Sequence, residues 1–545
     1  MGRSLATHDS FCEPPVTVPR VITQPLAGNP LAAAFIAGNA PAGWYESLPT
    51  DGKSWRARIE AVRSEISADW LDRLTPAFEA TGKAKERLDS VARGKGVVVT
   101  TGQQPGLFGG PIYTLSKALS ALALADSLQE ITGVPVAPVF WAATDDTDFK
   151  EASSTVIAVL GGAQLLRIDH TEPLGRPMAS MPLGDFSAQL DAVVRAAGSA
   201  VDTTPIELLQ RYYKSGETIG SAYVSLVRAL FAPLGIAVID ASHAATRAAA
   251  NPLLARALEK AGDIAEAVKT RNNEISAAGF TPQVQDVPGL SLVFGSASGG
   301  RKRIPIKTAS KQMSSDELGP NVLLRPIVER NILPTATYIG GPAEIAYFAQ
   351  IGPIARVLGA SSPAIVPRWS TTIIEPQVEE ILETLHLSPE DLREPHEAEA
   401  RLARARLPKK VLDELDATRA AIEERLTTLS QVVARERAPI GSAVAEGLRA
   451  NLLRRLDRFE RRLIAAAKRE NSEVMHQIAT ARGSLYPLGK PQERTLNFIA
   501  FLARYGPPLR EAMMREALQH ARQLVQPSRE NTSSLAQADS ARGTA

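Results

Sequence analysis

Cysteine is nearly missing: Cys12 is the only one in 545 residues. That excludes an intramolecular disulfide and a cysteine-built metal site, and it suits a reducing cytoplasm. The seven histidines are scattered with no HExxH or comparable spacing, so no zinc site is predicted. An excess of charge is missing too. Sixty-one Lys and Arg against 59 Asp and Glu leave +2, and no global field points to nucleic acid or an anionic membrane. No stretch approaches the ~18 uninterrupted apolar residues of a membrane span. The opening MGRSLATHDSFCEPP has no apolar targeting core. Neither GxGxxG after a strand nor GxxxxGKS/T occurs, so the ordinary dinucleotide and P-loop readings fall away. KQMSS at 311–315 sits in a polar linker and reads as chance.

What is present can bury a large core, at 44% hydrophobic residues. The chain is organised around 97–125, VVVTTGQQPGLFGGPIYTLSKALSALALA. Its β-branched start reads as a buried parallel strand. Gly102, Pro105, Gly106, Gly109, Gly110 and Pro111 then break all periodicity. From Tyr113 the residues Leu115, Leu119, Leu122 and Ala125 predict an amphipathic helix. Such a loop entering a helix can present backbone N–H groups to an anion; it can equally be a structural turn. Val134 to Trp141 reads as a second buried strand with Asp145, Asp146 and Asp148 beyond its carboxyl end, on the edge where open α/β sheets bind ligands. Paired carboxylates there can act as a general base or hold a metal, or simply cap a solvated loop.

Further strands are predicted at 154–160, 165–169, 235–241, 290–294, 322–328 and 364–367, with helices over 55–93, 205–232 and 247–278. The alternation predicts an α/β fold with a doubly wound, mostly parallel sheet. A second loop, 325–350, has Gly340-Gly341-Pro342 and then Glu344 at a helix start, where capping is the ordinary role of a carboxylate. Tyr347 and Gln350 follow on one side of that helix. Past Glu375 charge rises and strand signals stop. Leu412, Leu415, Ile422, Leu426, Leu429 and Val433 form a coiled-coil seam with Arg419 at one seam position. After a turn at Pro439 and Gly441, Val444, Leu448, Leu452, Leu456, Phe459 and Leu463 are predicted to face inward. The boundaries expected are a core over 1–374, a helical coiled-coil hairpin over 375–482, a return segment over 483–526 and a disordered tail over 527–545. A two-helix hairpin covers little of its own apolar surface, so docking or a homodimer is expected.

Five stretches together resemble a known family. They are TGQQPGLFGGPIYTLSKALSALALA (101–125), PVFWAATDDTDFKEAS (138–153), NVLLRPIVERNILPTATYIGGPAEIAYFAQ (321–350), VPR (366–368) and LYPLGKPQERTLNFIAFLARYG (485–506). In this order they are similar to the bacillithiol biosynthesis cysteine-adding enzymes. The resemblance implies a Rossmann-like core of nucleotidyltransferase type and a coiled coil used in dimerisation. It implies formation of an amide bond between the carboxyl of L-cysteine and the amine of glucosaminyl malate, with ATP as the expected cofactor and Mg as a possible one. The implied catalytic residues are Asp146, Asp148 and Lys117. The implied substrate- or nucleotide-binding residues are Gly102, Gln103, Gln104, Pro105, Gly106, Gly109, Gly110, Tyr113, Trp141, Arg325, Gly341, Glu344, Tyr347, Gln350, Arg368, Gln492 and Arg494. The family pattern carries a histidine between the two aspartates, where this chain has Thr147, which cannot replace an imidazole. A related ligase with another amine acceptor and a non-catalytic coiled-coil assembly protein are the alternatives.

Overall fold

A computed structural model describes residues 18–169, 172–297, 300–312, 317–394, 396–437 and 439–526. Cys12, the tail expected to be disordered and residues 313–315 of KQMSS lie outside these. The chain divides into two compact units. One comprises Met1–Ile157, Gln164–Ile374 and Gln492–Ala545; the other comprises Ala158–Ala163 and Glu375–Pro491.

The first unit is built on five parallel strands: β1 (Val97–Gln103), β2 (Val136–Ala142), β3 (Ala237–Asp240), β4 (Thr335–Gly340) and β5 (Ala364–Pro367). Their order is β5-β4-β1-β2-β3. This is the Rossmann-like, doubly wound sheet expected. β1 and β2 are buried along almost their whole length, which explains why their sequences are continuous apolar runs without alternation. The chain leaves β1 towards β2 and β3, then crosses back to β4. The switch point therefore lies between the carboxyl ends of β1 and β4, and there such sheets open a crevice.

Several elements differ from expectation. Residues 322–328 are not a strand. Asn321 Oδ1 accepts from the N–H groups of Leu323 and Leu324 at 3.1 and 3.0 Å, Pro326 occupies the first turn, and Arg325–Ile332 is helical. That helix is buried on nearly every side, although half its residues are polar, so burial does not follow the polarity of its sequence. The strand is the following TATYIG, β4. Residues 154–159 and 162–167 form a separate two-stranded ribbon, and Leu290–Ala297 joins a small three-stranded antiparallel sheet. The helix α1 (Ile112–Thr132) is not amphipathic but buried nearly all round, because helix Phe498–Val525 also packs on it. The hydroxyls of Ser116, Ser120 and Thr132 bond back to the preceding turn, as Ser120 Oγ does to the Ser116 carbonyl at 2.6 Å. We label Arg325–Ile332 α2 and Pro342–Leu358 α3.

In the second unit Lys409–Arg435 and Ser442–Glu470 pair as the hairpin, and Ser472–Leu485 follows a break at Asn471. Arg419 crosses the seam to Asp457 at 2.7 Å and Glu460 at 2.9 Å. Val444, Leu448 and Phe459 do not face inward: they are 58%, 47% and 52% exposed, while Ala445 and Ala467 are buried. A two-helix pair encloses only a narrow seam, and these larger side chains fall outside it.

Candidate functional site

The carboxyl ends of β1 and β4 are tied by one buried ion pair. Lys117, one turn and a half into α1, reaches Glu344 of α3 at 2.7 Å, the Gly102 carbonyl at 2.8 Å and Gln103 Oε1 at 3.1 Å. Glu344 also accepts from the Tyr338 hydroxyl at 2.7 Å and from the Gly341 N–H at 2.6 Å. Burial disfavours both charges. For Glu344, Lys117 and the two donors overcome it and hold the carboxyl below its ordinary range; for Lys117 burial wins and lowers its pKa. An ammonium has three hydrogens, and all three are engaged. Lys117 is thus a lock across the switch point, which corrects the expectation that it neutralises developing charge on a substrate.

On the β1 side Glu151 organises the wall. It accepts from the Tyr113 hydroxyl at 3.0 Å, from Gln103 Nε2 at 3.3 Å and from Gln104 Nε2. Glu151 stands at the end of a short helix capped by Asp148, whose Oδ1 accepts the Glu151 N–H at 3.2 Å. Burial raises the Glu151 pKa, with Asp148 and Asp146 adding to the rise and Tyr113 opposing it.

The aspartates after β2 have three different fates. Asp145 is held by Arg301, which donates to its carbonyl and to Oδ2 at 3.0 Å. Asp148 is exposed and caps. Asp146 lies half-buried between them, with Oδ1 accepting the Asp148 N–H at 2.8 Å. Burial chiefly raises its pKa; Asp145 and Asp148 add to this, while Arg325 opposes. Thr147 beside it is half-buried. Trp141, at the end of β2, lines a cavity of about 430 Å³ with Asp145, Arg176, Ser242, Arg247 and Arg301. Its Nε1 is buried and has no hydrogen-bond partner among the described residues.

From the β4 side α2 brings Arg325, whose Nη2 donates to the Tyr347 hydroxyl at 3.1 Å. Arg368 follows β5 and is clamped by Glu493 at 2.8 and 2.6 Å, with its guanidinium 5.8 Å from the centre of the Tyr113 ring. Arg494 is exposed, near enough to Tyr113 to act on its acidity.

Other expected residues do not join this cluster. Gln350 is fully buried and joins α3 to Asn272 at 2.7 Å and to both backbone groups of Val284. Gln492 pairs with the N–H and C=O of Ile373, both at 2.8 Å, like a neighbouring strand. The anion cradle expected of the glycine loop is also corrected. Pro105 to Gly110 are buried, and the Gly109 and Gly110 N–H groups bond within the loop to Gly106 and Leu107 carbonyls. The Ile112 N–H, at the start of α1, bonds to Leu496 O at 2.9 Å. A Cβ on Gly106 would meet Gly110 Cα at 2.7 Å. These residues make a close-packed corner whose open rim is Gln103, Gln104 and Tyr113.

Sequence reasoning missed Glu151, Tyr338, Glu493, Arg301 and Asn497. Asn497 Nδ2 holds the loop through the Phe108 carbonyl at 3.0 Å and Thr155 at 3.1 Å. Glu151 had a readable signal, standing three residues after a capping aspartate; Arg301 and Tyr338 had none.

Known proteins resemble the chain along nearly its whole length. The family model "Bacillithiol biosynthesis BshC, N-terminal Rossmann-like domain" matches residues 23–369, and "Bacillithiol biosynthesis BshC, C-terminal coiled-coil domain" matches 371–525. A protein of Koribacter versatilis named "Putative cysteine ligase BshC" is 32% identical over 467 residues, covering 82% of this chain and 86% of its own. Proteins of the same name from Solibacter usitatus and Geobacillus thermodenitrificans are 31% and 26% identical, covering 85% and 88% of this chain and 90% and 94% of their own. With both family domains matched in order along the chain, it belongs to the bacillithiol biosynthesis BshC family.

Proposed function

We propose that this chain is a ligase that joins the carboxyl group of L-cysteine to the amine of glucosaminyl malate, completing bacillithiol, with ATP as the activating cosubstrate. The observation that carries the reading is Asp146. It is a part-buried carboxyl of raised pKa at the switch point of a chain whose relatives are named cysteine ligases. An amine attacks only as its free base, and at neutral pH it carries a proton that must go somewhere. A carboxylate with a raised pKa is the better acceptor. Asp146 keeps one oxygen on the Asp148 N–H and has the other for the amine. Thr147 has no titratable group, so the proton falls to its neighbour.

Two buried donors without a hydrogen-bond partner among the described residues, Trp141 Nε1 and Arg325 Nε, suit an anionic, hydrogen-bond-accepting ligand. So does the cavity of about 430 Å³ with Arg176, Arg247 and Arg301 on its wall. ATP bound there would supply the activation that turns the cysteine carboxylate into an acyl donor. Among the described residues no three His, Cys, Asp or Glu side chains gather to hold a metal. Magnesium is therefore proposed only as the nucleotide's counter-ion. The exposed Leu429, Val432, Val444, Leu448 and Phe459 of the hairpin support a homodimer formed through it.

The test is to supply glucosaminyl malate, L-cysteine and ATP to the purified protein and weigh the product. Bacillithiol is expected. No product, with ATP shown not to bind, overturns the reading. The threonine at 147 favours one second reading, a ligase for a different amine, which would give an amide of cysteine with another acceptor and none with glucosaminyl malate.

A further inference from the structure

The buried and part-buried cations around the crevice are unequal. Lys117, Arg301 and Arg368 each have a carboxylate within 3.0 Å: Glu344 at 2.7, Asp145 at 3.0 and Glu493 at 2.6 Å. For Arg325 the ion-pair partner is Glu329, one turn along α2, whose carboxyl stands 3.8 Å from Arg325 Nε, beyond hydrogen-bond reach. Arg325 Nε and both carboxyl oxygens of Glu329 are buried without a hydrogen-bond partner among the described residues, and Glu329 is 1% exposed. A part-buried guanidinium with a buried, unspent Nε donor calls for an anion. The carboxyl beside it is near enough to feel that charge and too far to bond it.

The titratable and charged groups that act on or feel Glu329 come from five places: Arg325 on its own helix, Glu344 and Tyr347 on α3, Lys117 on α1, Asp145 after β2 and Tyr338 on β4. Helix Ala244–Glu259, which packs against α2, brings Arg247 to the cavity wall that the neighbouring Val328 also lines. We propose that Glu329 is a positioning residue that sets the charge Arg325 presents: Arg325 binds an oxyanion of the substrates, a carboxylate or a nucleotide phosphate, while Glu329 is neutral, and loses it when Glu329 ionises. Only the identity of that oxyanion rests on the ligase reading. Burial outweighs the attraction of Arg325 and pushes the Glu329 pKa up to about 8. The neutral fraction of such a group falls about tenfold between pH 7 and pH 9, and oxyanion affinity should fall with it.

The experiment is calorimetric titration of the full chain with L-malate, as a carboxylate probe, and with ATP, as a phosphate probe, at pH 7 and pH 9. In the wild type one of the two should weaken about tenfold over that interval; which one does so names the oxyanion. Glu329→Gln should keep that affinity level, and Arg325→Lys should weaken it at both pH values. Glu329→Gln retaining the wild-type pH dependence, or neither probe binding at pH 7, overturns the proposal. If Glu329→Gln fails to fold, the wild type decides alone, since an affinity unchanged between pH 7 and pH 9 also overturns it. A chain that binds a probe in this way but forms no bacillithiol would sink the reaction and leave the Arg325–Glu329 assignment standing.

Discussion

At the scale of single residues the crevice is a set of charge pairs, and each pair has a measurable consequence. Asp146→Asn keeps the shape and removes the proton acceptor, so turnover should fall ~10²–10⁴-fold with an unchanged circular dichroism spectrum; wild-type turnover would remove Asp146 from the chemistry. Glu493→Ala leaves Arg368 buried and unpaired. Breaking such a pair costs about 3–5 kcal/mol, which a lowered denaturation midpoint would report. Glu329 makes stability depend on pH. Its folded pKa of about 8 lies above the ordinary 4.5, so the folded chain holds a proton that the unfolded chain has released between those values. The stabilising contribution is complete below about pH 4.5 and lost as pH rises towards 8. Glu329→Gln should therefore melt progressively above wild type from pH 5 to pH 8.5; a constant difference would contradict the assigned burial. Asp146 and Asp148 were legible because they stand in a short polar stretch directly after an apolar strand. Lys117 was legible as a position but not as a role, since nothing near it in sequence announces Glu344.

At the scale of elements the glycine loop and the α2–β4 segment are the instructive pair. The loop's breaks were plain in the sequence. Its packing was not, because the group that fills it, Asn497 with Phe498, arrives from nearly four hundred residues away. Gly109 has φ +88°, and a Cβ there would lie 2.9 Å from Phe498 Cζ. Gly109→Ala should thus cost about 1–3 kcal/mol, read as a lower melting temperature, with a raised KM because Gln103 and Gln104 sit on the same corner. A neutral Gly109→Ala would show that the corner is loose. For α2 the run 322–328, apolar but for Arg325, could serve a strand or a buried helix equally well, and periodicity cannot separate the two over so short a run. Asn321 and Pro326 decided it, and that decision turned Glu329 inward one turn from Arg325.

At the scale of the whole molecule the hairpin carries the assembly prediction. Phe459→Glu together with Val444→Glu changes two exposed apolar side chains and should shift the protein to a monomer in light scattering; a dimer that persists would place the interface elsewhere. The alternation of strands and helices, the change of composition near Glu375 and the ordered set of family stretches were all determined by sequence. Each depends on interactions over a few residues or on patterns that survive as patterns. Only the tertiary structure decided which polar side chains remain available to a substrate. Lys117 meets Glu344, Asp145 meets Arg301 and Arg368 meets Glu493 across separations of more than a hundred residues. The first two meetings follow from the crossover that returns the chain from β3 to β4, and the third from the later return of Gln492–Arg494 to Ile373. Two opposite charges find each other there because the fold has already brought their backbones together, and the same geometry leaves Arg325 Nε without a hydrogen-bond partner among the described residues.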